Sequence, residues 1–360
     1  MIDRVVGELP RPGDLVLKDF RPKPVSVAAP SDGRLKLFQW NVERGYKLDA
    51  ILDEVERLQP DILAIQEIDV GCDRSDGRDV GLELAERLKM NYGFVCEFEE
   101  LRSSMRSDRD QGGGVHGNGI LTRFDMREIR AIEHRHHPVD WENPALDKCK
   151  KEPRKGRRLS LGATIDTPHG PVVVYCCHLE VFCGISSRIS QFADILRDSR
   201  ECSSQGLHHQ VIMGDLNTMA NHFARFSPNF CCDHLRFRTL GQKEARFWKV
   251  NFFDVTETEA KRQGEMNGGV PINEKLLKWG LDEELCREAI NPGFYDPWDV
   301  DSDVTLEHPA VKGYKFYLVT GKLDWILGKD VKFVAKEIGN HDYSMSDHKW
   351  LMAEVTLIQK

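Results

Sequence analysis

Five apolar runs in this 360-residue chain end on, or carry at their edge, a residue able to ligate a cation or move a proton. FQWN closes on Asn41, LAIQE on Glu67 and VVVYCCH on His178; VIMGDLN carries Asp215 and Asn217, and GKLDWIL carries Asp324. A sixth segment, SMSDHKWLMAEV, sets Asp347 and His348 at the start of its run instead. An apolar strand leaves a polar side chain at its mouth little freedom, which is how a catalytic constellation is pre-organised. Each residue has an ordinary reading when taken singly. Glu67 could cap a turn, Asp215 and Asn217 are common turn types, and His178 could be a core histidine. Together they are the types that phosphate chemistry with a divalent cation requires. Carboxylate and amide oxygens without thiolates suit a hard ion, Mg²⁺ or Mn²⁺. An Asp beside the phosphate can orient or deprotonate water, and an Asp–His pair fixes the tautomer and charge of an imidazole. The set describes a phosphoester hydrolase.

These segments need strands to hold them. LKLFQWN, DILAIQEID, YGFVCEF, GILTRF, REIRAIE, RLSLGATID, PVVVYCCHLE and HHQVIMGDLN read as strands, as do YKFYLVTGKLDWILG, VKFVAKEIG and HKWLMAEVTLI. Helical spacing of apolar residues marks LDAILDEVERLQ, VGLELAERLKM and SRISQFADILRDSR. So many strands with few helices between them do not fit a doubly wound parallel sheet. They predict an α/β fold of two packed mixed sheets with helices on the outer faces, a four-layer sandwich. Residues 1–33 hold five of the sixteen prolines and read as an irregular arm outside the sheet, ahead of one domain spanning 34–360. Residues 219–322 read as an irregular insertion with one helix, EKLLKWGLDEELCREAI, and long irregular insertions tend to serve recognition.

Composition narrows the class further. Hydrophobic residues make up 40% and charged residues 30%, a globular balance, and no apolar run is long enough to span a membrane. The acidic, proline-containing start does not resemble a signal peptide, so a cytoplasmic or nuclear setting with reduced thiols is expected for the ten cysteines. The net charge of −8 excludes nucleic-acid binding by bulk charge, so any polyanion contact must be local. KCKKEPRKGRR (148–158), with seven bases and one acid, is the candidate for it. HRHHP (134–138) reads as a surface loop. The adjacent cysteines 176–177 and 231–232 read as buried thiols, because an alternating strand cannot aim neighbours at one zinc. Phe294, Tyr295 and Trp298 could stack a base or an acyl chain, or anchor their loop.

QWN (39–41), LAIQE (63–67), GNGILTR (117–123), CHLE (177–180), GDLN (214–217), LDWIL (323–327) and SDH (346–348) resemble, in order, the motifs of the endonuclease/exonuclease/phosphatase superfamily, which has the deoxyribonuclease I-like fold. The resemblance spans residues 35 to 358. It implies that Glu67 is the principal metal ligand, helped by Asn41 and Asp347. Asp215 would align or activate water, Asn217 and His178 would hold phosphoryl oxygens, and Asp324 would orient His348. Asn118 and Arg188 would be secondary phosphate-binding or core-supporting positions. AP endonucleases carry tyrosine where this chain has His178, which disfavours an abasic-site role. Deoxyribonuclease-like, sphingomyelinase-like, 5-phosphatase-like and tyrosyl-DNA phosphodiesterase branches share the histidine, and HLE (178–180) is similar to the last. The expected activity is a Mg²⁺- or Mn²⁺-dependent phosphodiesterase acting on nucleic acid. The rivals are hydrolysis of a phospholipid or inositol phosphate and a catalytically silent protein-binding scaffold.

Overall fold

Alternation along the strands explains both the layers and the place of the site. A computed structural model describes residues 8–22, 33–219, 222–267, 269–309 and 317–358. Its strands are β1 (Leu15–Asp19), β2 (Leu35–Asn41), β3 (Ile62–Val70), β4 (Asn91–Glu100), β5 (Val115–Thr122), β6 (Asp125–Glu133), β7 (Arg154–Gly156) and β8 (Leu159–Thr167). They continue with β9 (Gly170–His178), β10 (Gln210–Asp215), β11 (Leu306–Pro309), β12 (Tyr317–Gly321), β13 (Asp324–Lys329), β14 (Val331–Gly339) and β15 (Trp350–Leu357). One mixed sheet has the order β1-β4-β5-β3-β2-β15-β14, with β7 on the edge of β4, and a second has the order β13-β10-β9-β8-β6. Strands β11 and β12 form a separate ribbon.

The two sheets pack face to face. Leu35 and Leu37 of β2, Val172, Val174 and Cys176 of β9, Val211 and Met213 of β10, and Ile326 of β13 share one core between them. The intervening residues face outward against helices. Phe38 and Trp40 meet α1 (Leu48–Leu58) and α2 (Val80–Leu88), while Val173, Tyr175 and Cys177 share a second core with α3 (Ile185–Ser204). Helix α1 buries Leu48, Ile51, Leu52, Val55 and Leu58, a stripe at helical spacing, and Asp79 caps α2 by accepting from the Leu82 N–H at 2.9 Å. Burial on both sheet faces is why these strands read as nearly unbroken apolar runs. Two-residue periodicity then carries the inter-sheet side to Gln39 and Asn41, His178, Asp215 and Asp324. In the second sheet Asp215 pairs with His178 on one side and Asp324 on the other, so three of the expected residues stand abreast.

Three expectations need correction. The stretch 1–33, read as an arm outside the sheet, contributes β1, which pairs antiparallel with β4; Pro12 and Pro22 flank that strand rather than interrupt it, and Pro24 and Pro30 lie outside the described residues. The single helix expected at 274–290 is two, Glu274–Lys278 and Glu283–Glu288. Gly280 turns between them with a φ of 86°, and Asp282 starts the second by accepting from the N–H groups of Glu284 and Leu285. YKFYLVTGKLDWILG is not one strand either. It breaks at Lys322–Leu323, sending β12 and β13 to different sheets, and residues 314–316 lie outside the described residues. The rest of the insertion packs on α3 through Trp248, Phe252 and Phe253, each with its ring centroid 5.5–5.6 Å from that of Phe192. No described helix is long and apolar enough to cross a membrane.

Candidate active site

Six of the eight residues expected from the sequence line one cleft of about 410 Å³ at one end of the paired sheets, and Asn41 and Asp324 stand behind it, hydrogen-bonded to Glu67, Asp215 and His348. Asp215 is central. Its Oδ1 accepts the Asn217 N–H at 2.8 Å and its Oδ2 accepts Asn41 Nδ2 at 3.1 Å. The Nε2 atoms of His178 and His348 stand 3.5 and 3.7 Å from the same Oδ2. Burial is the main cause that pushes the Asp215 carboxyl up to about 7, with the nearby His348 opposing the rise and Asp324 adding to it.

The two imidazoles differ because of what stands behind them. Arg158 donates to His178 Nδ1 at 3.1 Å and to Glu97 at 3.0 Å. An arginine only donates, so His178 Nδ1 is the acceptor and Nε2 carries the proton toward the cleft. Burial, reinforced by the Arg158 charge, holds the His178 pKa well below its ordinary value. His348 Nδ1 instead lies 2.8 Å from Asp324 Oδ2, whose other oxygen accepts Gln39 Nε2 at 2.9 Å. Burial opposes charging of this ring too, yet Asp324 and Asp215 together hold its pKa well above the ordinary value. The loop carrying His348 is fastened by Trp40 and Asn340, which donate to its carbonyl, and by Ser346 Oγ, which donates to the Asn41 carbonyl at 2.7 Å.

Glu67 reaches the cleft by breaking the rule that places the others. Leu63 and Ile65 face the helices, so simple alternation would send Glu67 with them. The β3–β5 pairing slips between Ile65 and Ile68, and Glu67 takes a φ of 59°. This bulge turns its carboxylate to Asn41 Nδ2, 3.2 Å away. Burial raises its pKa, but Arg44, His116 and Asn41 outweigh that and hold it below the usual range. Asp347 stands exposed at the mouth, and its N–H donates to Glu43 Oε2 at 3.2 Å. Burial, with Asp347 and Glu67 close by, pushes the Glu43 carboxyl up to about 7. Three crowded carboxyl groups without a thiolate are an oxygen donor set that fits a hard divalent cation. Asp215, Asp324 and His348 also bring ligand atoms within 4.8 Å of one another. There Asp324 Oδ2 is already hydrogen-bonded to His348 Nδ1, while His348 Nε2 faces Asp215 Oδ2 at the ion-pair distance of 3.7 Å.

Asn217 also adopts a positive φ, 49°, and gives one amide N–H to the Leu179 carbonyl at 2.8 Å, leaving the other available at the cleft. The secondary candidates are built into the core. Asn118 donates to the Leu159 carbonyl, and Arg188 is fully buried against Glu244 and a cluster of carbonyls. The basic segment does reach the cleft, through Lys148, Arg154 and Arg158. HRHHP is not wholly a surface loop. His134 is completely buried, 3.2 Å from Ser160 Oγ, and burial lowers its pKa to about 4. Cys176 and Cys177 point into opposite cores, as alternation requires, and Cys231 is buried while Cys232 is exposed. Trp298 and Phe294 are buried anchors, whereas Tyr295 packs on Phe333 away from the cleft lining.

Sequence reasoning missed Gln39, Glu43, Arg44, Glu97 and the particular role of Arg158. Gln39 carried a usable signal, being two residues before Asn41 on the same strand face. Glu43, Arg44 and Gly45 form a left-handed turn with φ of 46°, 62° and 74°, which the sequence VERG marks only by its glycine. That turn aims Arg44 at Glu152, 3.0 Å away, and at Glu67, 3.8 Å away.

The endonuclease/exonuclease/phosphatase family model matches residues 38–348. No curated protein sequence matches the chain. Among solved structures, an endonuclease/exonuclease/phosphatase from Beutenbergia cavernae superposes with a TM-score of 0.52 at 15% identity, over 90% of this chain and 72% of its own. The endonuclease/exonuclease/phosphatase from Bacteroides vulgatus gives 0.51 at 13% identity, over 90% of this chain and 99% of its own. ANGEL2, described as a 2′,3′-cyclic phosphatase and solved with adenosine-2′,3′-vanadate, gives 0.51 at 14% identity, over 89% of this chain and 95% of its own. At these identities the superpositions establish a shared fold.

Proposed function

Because the chain belongs to the endonuclease/exonuclease/phosphatase family, whose members hydrolyse phosphoesters, we propose that its cleft cleaves a phosphodiester of nucleic acid with the help of Mg²⁺ or Mn²⁺. The observation that carries this reading is Asp215, set 3.5 Å from His178 Nε2 and 3.7 Å from His348 Nε2. A carboxylate between a neutral and a charged N–H donor can align or deprotonate water while the donors receive phosphoryl oxygens. Glu67, with Asn41 and Asp347, would hold the cation. When bound, the ion neutralises phosphate charge and stabilises an in-line displacement. In this scheme His178 and Asn217 hold non-bridging oxygens, and Asp324 keeps His348 oriented and charged so that it can donate a proton.

The choice of nucleic acid rests on the walls. Lys148 brings positive charge, and Trp141, Phe182 and Phe230 bring aromatic surface to the same cleft, where Arg154 and Arg158 are paired with Glu152 and Glu97. ANGEL2, which shares the fold, acts on a cyclic phosphate by its description, and a nucleotide phosphoester is consistent with that chemistry. One observation favours a second reading. The insertion and its surroundings supply an apolar wall of Met219, Leu306 and Leu323, which would suit a phospholipid or a hydrophobic inositol phosphate ester.

The test is hydrolysis with Mg²⁺ or Mn²⁺ of DNA, RNA, a 5′-phosphotyrosyl oligonucleotide, sphingomyelin and inositol polyphosphates, with Asp215→Asn as the control. Metal-dependent turnover of an oligonucleotide, lost in the variant, is the expected result. Turnover confined to lipid or inositol substrates would replace the substrate, and no turnover of any phosphoester would restore the silent scaffold.

A further inference from the structure

Most of the charge in the basic segment is already spent inside the protein. Arg154 pairs with Glu152, Arg158 with Glu97, Lys150 with Asp147, Lys155 with Glu99 and Arg157 with Glu133. Arg44, the other cation on the cleft, is held by Glu152 and Glu67. Lys148 is different. It is exposed, it borders the cleft, and among the described residues it has no carboxylate partner.

Lys148 is nevertheless held in place. Its ammonium stands 5.2 Å from the Phe182 ring centroid and 5.1 Å from that of Phe230. Those two half-buried rings are stacked, 6.0 Å apart with 28° between their planes, and Trp141 supports Phe182 from 6.0 Å. Phe182 lies two residues after the CHLE segment, and Phe230 comes from the insertion, so the pair forms where the insertion meets the end of β9. An exposed contact of this kind contributes little to a fold. It does station an unpaired cation beside two half-buried aromatic rings on the wall that leads to Asp215. Aromatic faces stack nucleobases of any identity, and a lysine reads phosphate as a point charge.

We propose that Lys148, Phe182 and Phe230 bind the nucleotide adjoining the scissile phosphate, its base on the two rings and its own phosphate on the Lys148 ammonium. The inference rests on the nucleic-acid reading of the catalytic cleft and assigns that cleft a second subsite. It makes the substrate longer than one nucleotide and the recognition independent of base identity.

The experiment compares wild type, Lys148→Ala, Lys148→Arg and Phe230→Leu on three forms of one oligonucleotide and on methyl 4-nitrophenyl phosphate. The oligonucleotide is unmodified, abasic at the adjoining nucleotide, or uncharged there through a methylphosphonate linkage. Lys148→Ala is expected to raise KM for the unmodified strand about 10-fold with kcat within about twofold, and Lys148→Arg to recover most of it. That loss should vanish on the methylphosphonate strand, and the smaller Phe230→Leu loss should vanish on the abasic one. Neither variant should change turnover of methyl 4-nitrophenyl phosphate. Oligonucleotide cleavage indifferent to Lys148→Ala and Phe230→Leu overturns the subsite and leaves the nucleic-acid reading standing. Equal losses on the small diester and on every strand also overturn it, by marking a general disturbance of the cleft. Wild-type turnover of the small diester without any oligonucleotide overturns both.

Discussion

The two flanks of Asp215 present the same ring in opposite states. On one side, β8 and β9 place His178 in front of Arg158 and Glu97; on the other, β13 and the loop before β15 place His348 in front of Asp324 and Gln39. Both imidazoles are buried and both aim Nε2 at one carboxylate oxygen. Burial, reinforced by the cation behind it, holds the first ring's pKa down, and the anion behind the second overcomes burial and holds its pKa up. One fold thus supplies two N–H donors of different strength from one residue type, and the residue behind the ring decides which is which.

The contrast can be broken at its centre. Asp215→Asn keeps the shape but removes the carboxylate that in the proposed scheme activates water, and kcat with Mg²⁺ should fall by about 10³–10⁴-fold without loss of the folded state by circular dichroism. Removing the support of the neutral flank is a matter of stability. Arg158→Met leaves the buried Glu97 carboxylate uncompensated, and urea denaturation should show a loss of about 3–5 kcal/mol. Adding Glu97→Gln should return part of that loss, which a simple packing defect at Arg158 would not allow.

The charged flank tests the sign of the effect. Asp324→Asn removes the anion that favours the His348 cation against burial, so that pKa should drop. Activity that needs the imidazolium would then decline at a lower pH than in the wild type. The kcat loss near neutrality should be about 10²-fold. The smallest effect isolates burial from any catalytic partner. His134 is buried in the neutral form, so its unfolded state binds a proton between its ordinary pKa and about 4 and the native state does not. Stability should therefore fall as pH falls through that window, by on the order of 2 kcal/mol at pH 5 from this group, and His134→Gln should make the slope in urea titrations shallower by that share.

The eight expected residues were legible because each terminates, or begins beside, an apolar run, and for Asn41, His178, Asp215 and Asp324 two-residue alternation fixes which face they share. His178 follows Val172, Val174 and Cys176 onto the inter-sheet side, and that much can be counted along the chain. What alternation could not reveal is what defies it. Glu67 arrives through a bulge, Arg44 through a left-handed turn, and Arg158 by burial of what looks like one base in a surface run. The missed helix break has the same origin, since Gly280 sits in an otherwise helical apolar pattern and only its positive φ stops it. Local pattern records the regular backbone, while ion pairs between distant segments, such as Arg158 with Glu97, leave no trace in spacing.

The positive φ of Glu67 also bears on how variants of this protein would behave under selection. A non-glycine residue held there stores about 1–3 kcal/mol of backbone strain. Glycine occupies that conformation freely. A library screened only for expression or heat resistance should therefore enrich Glu67→Gly, whose molecules outlast the parent on heating while lacking the proposed cation ligand. Survival and activity would be uncoupled at this one codon, and enrichment there would report the strain that the active cleft maintains.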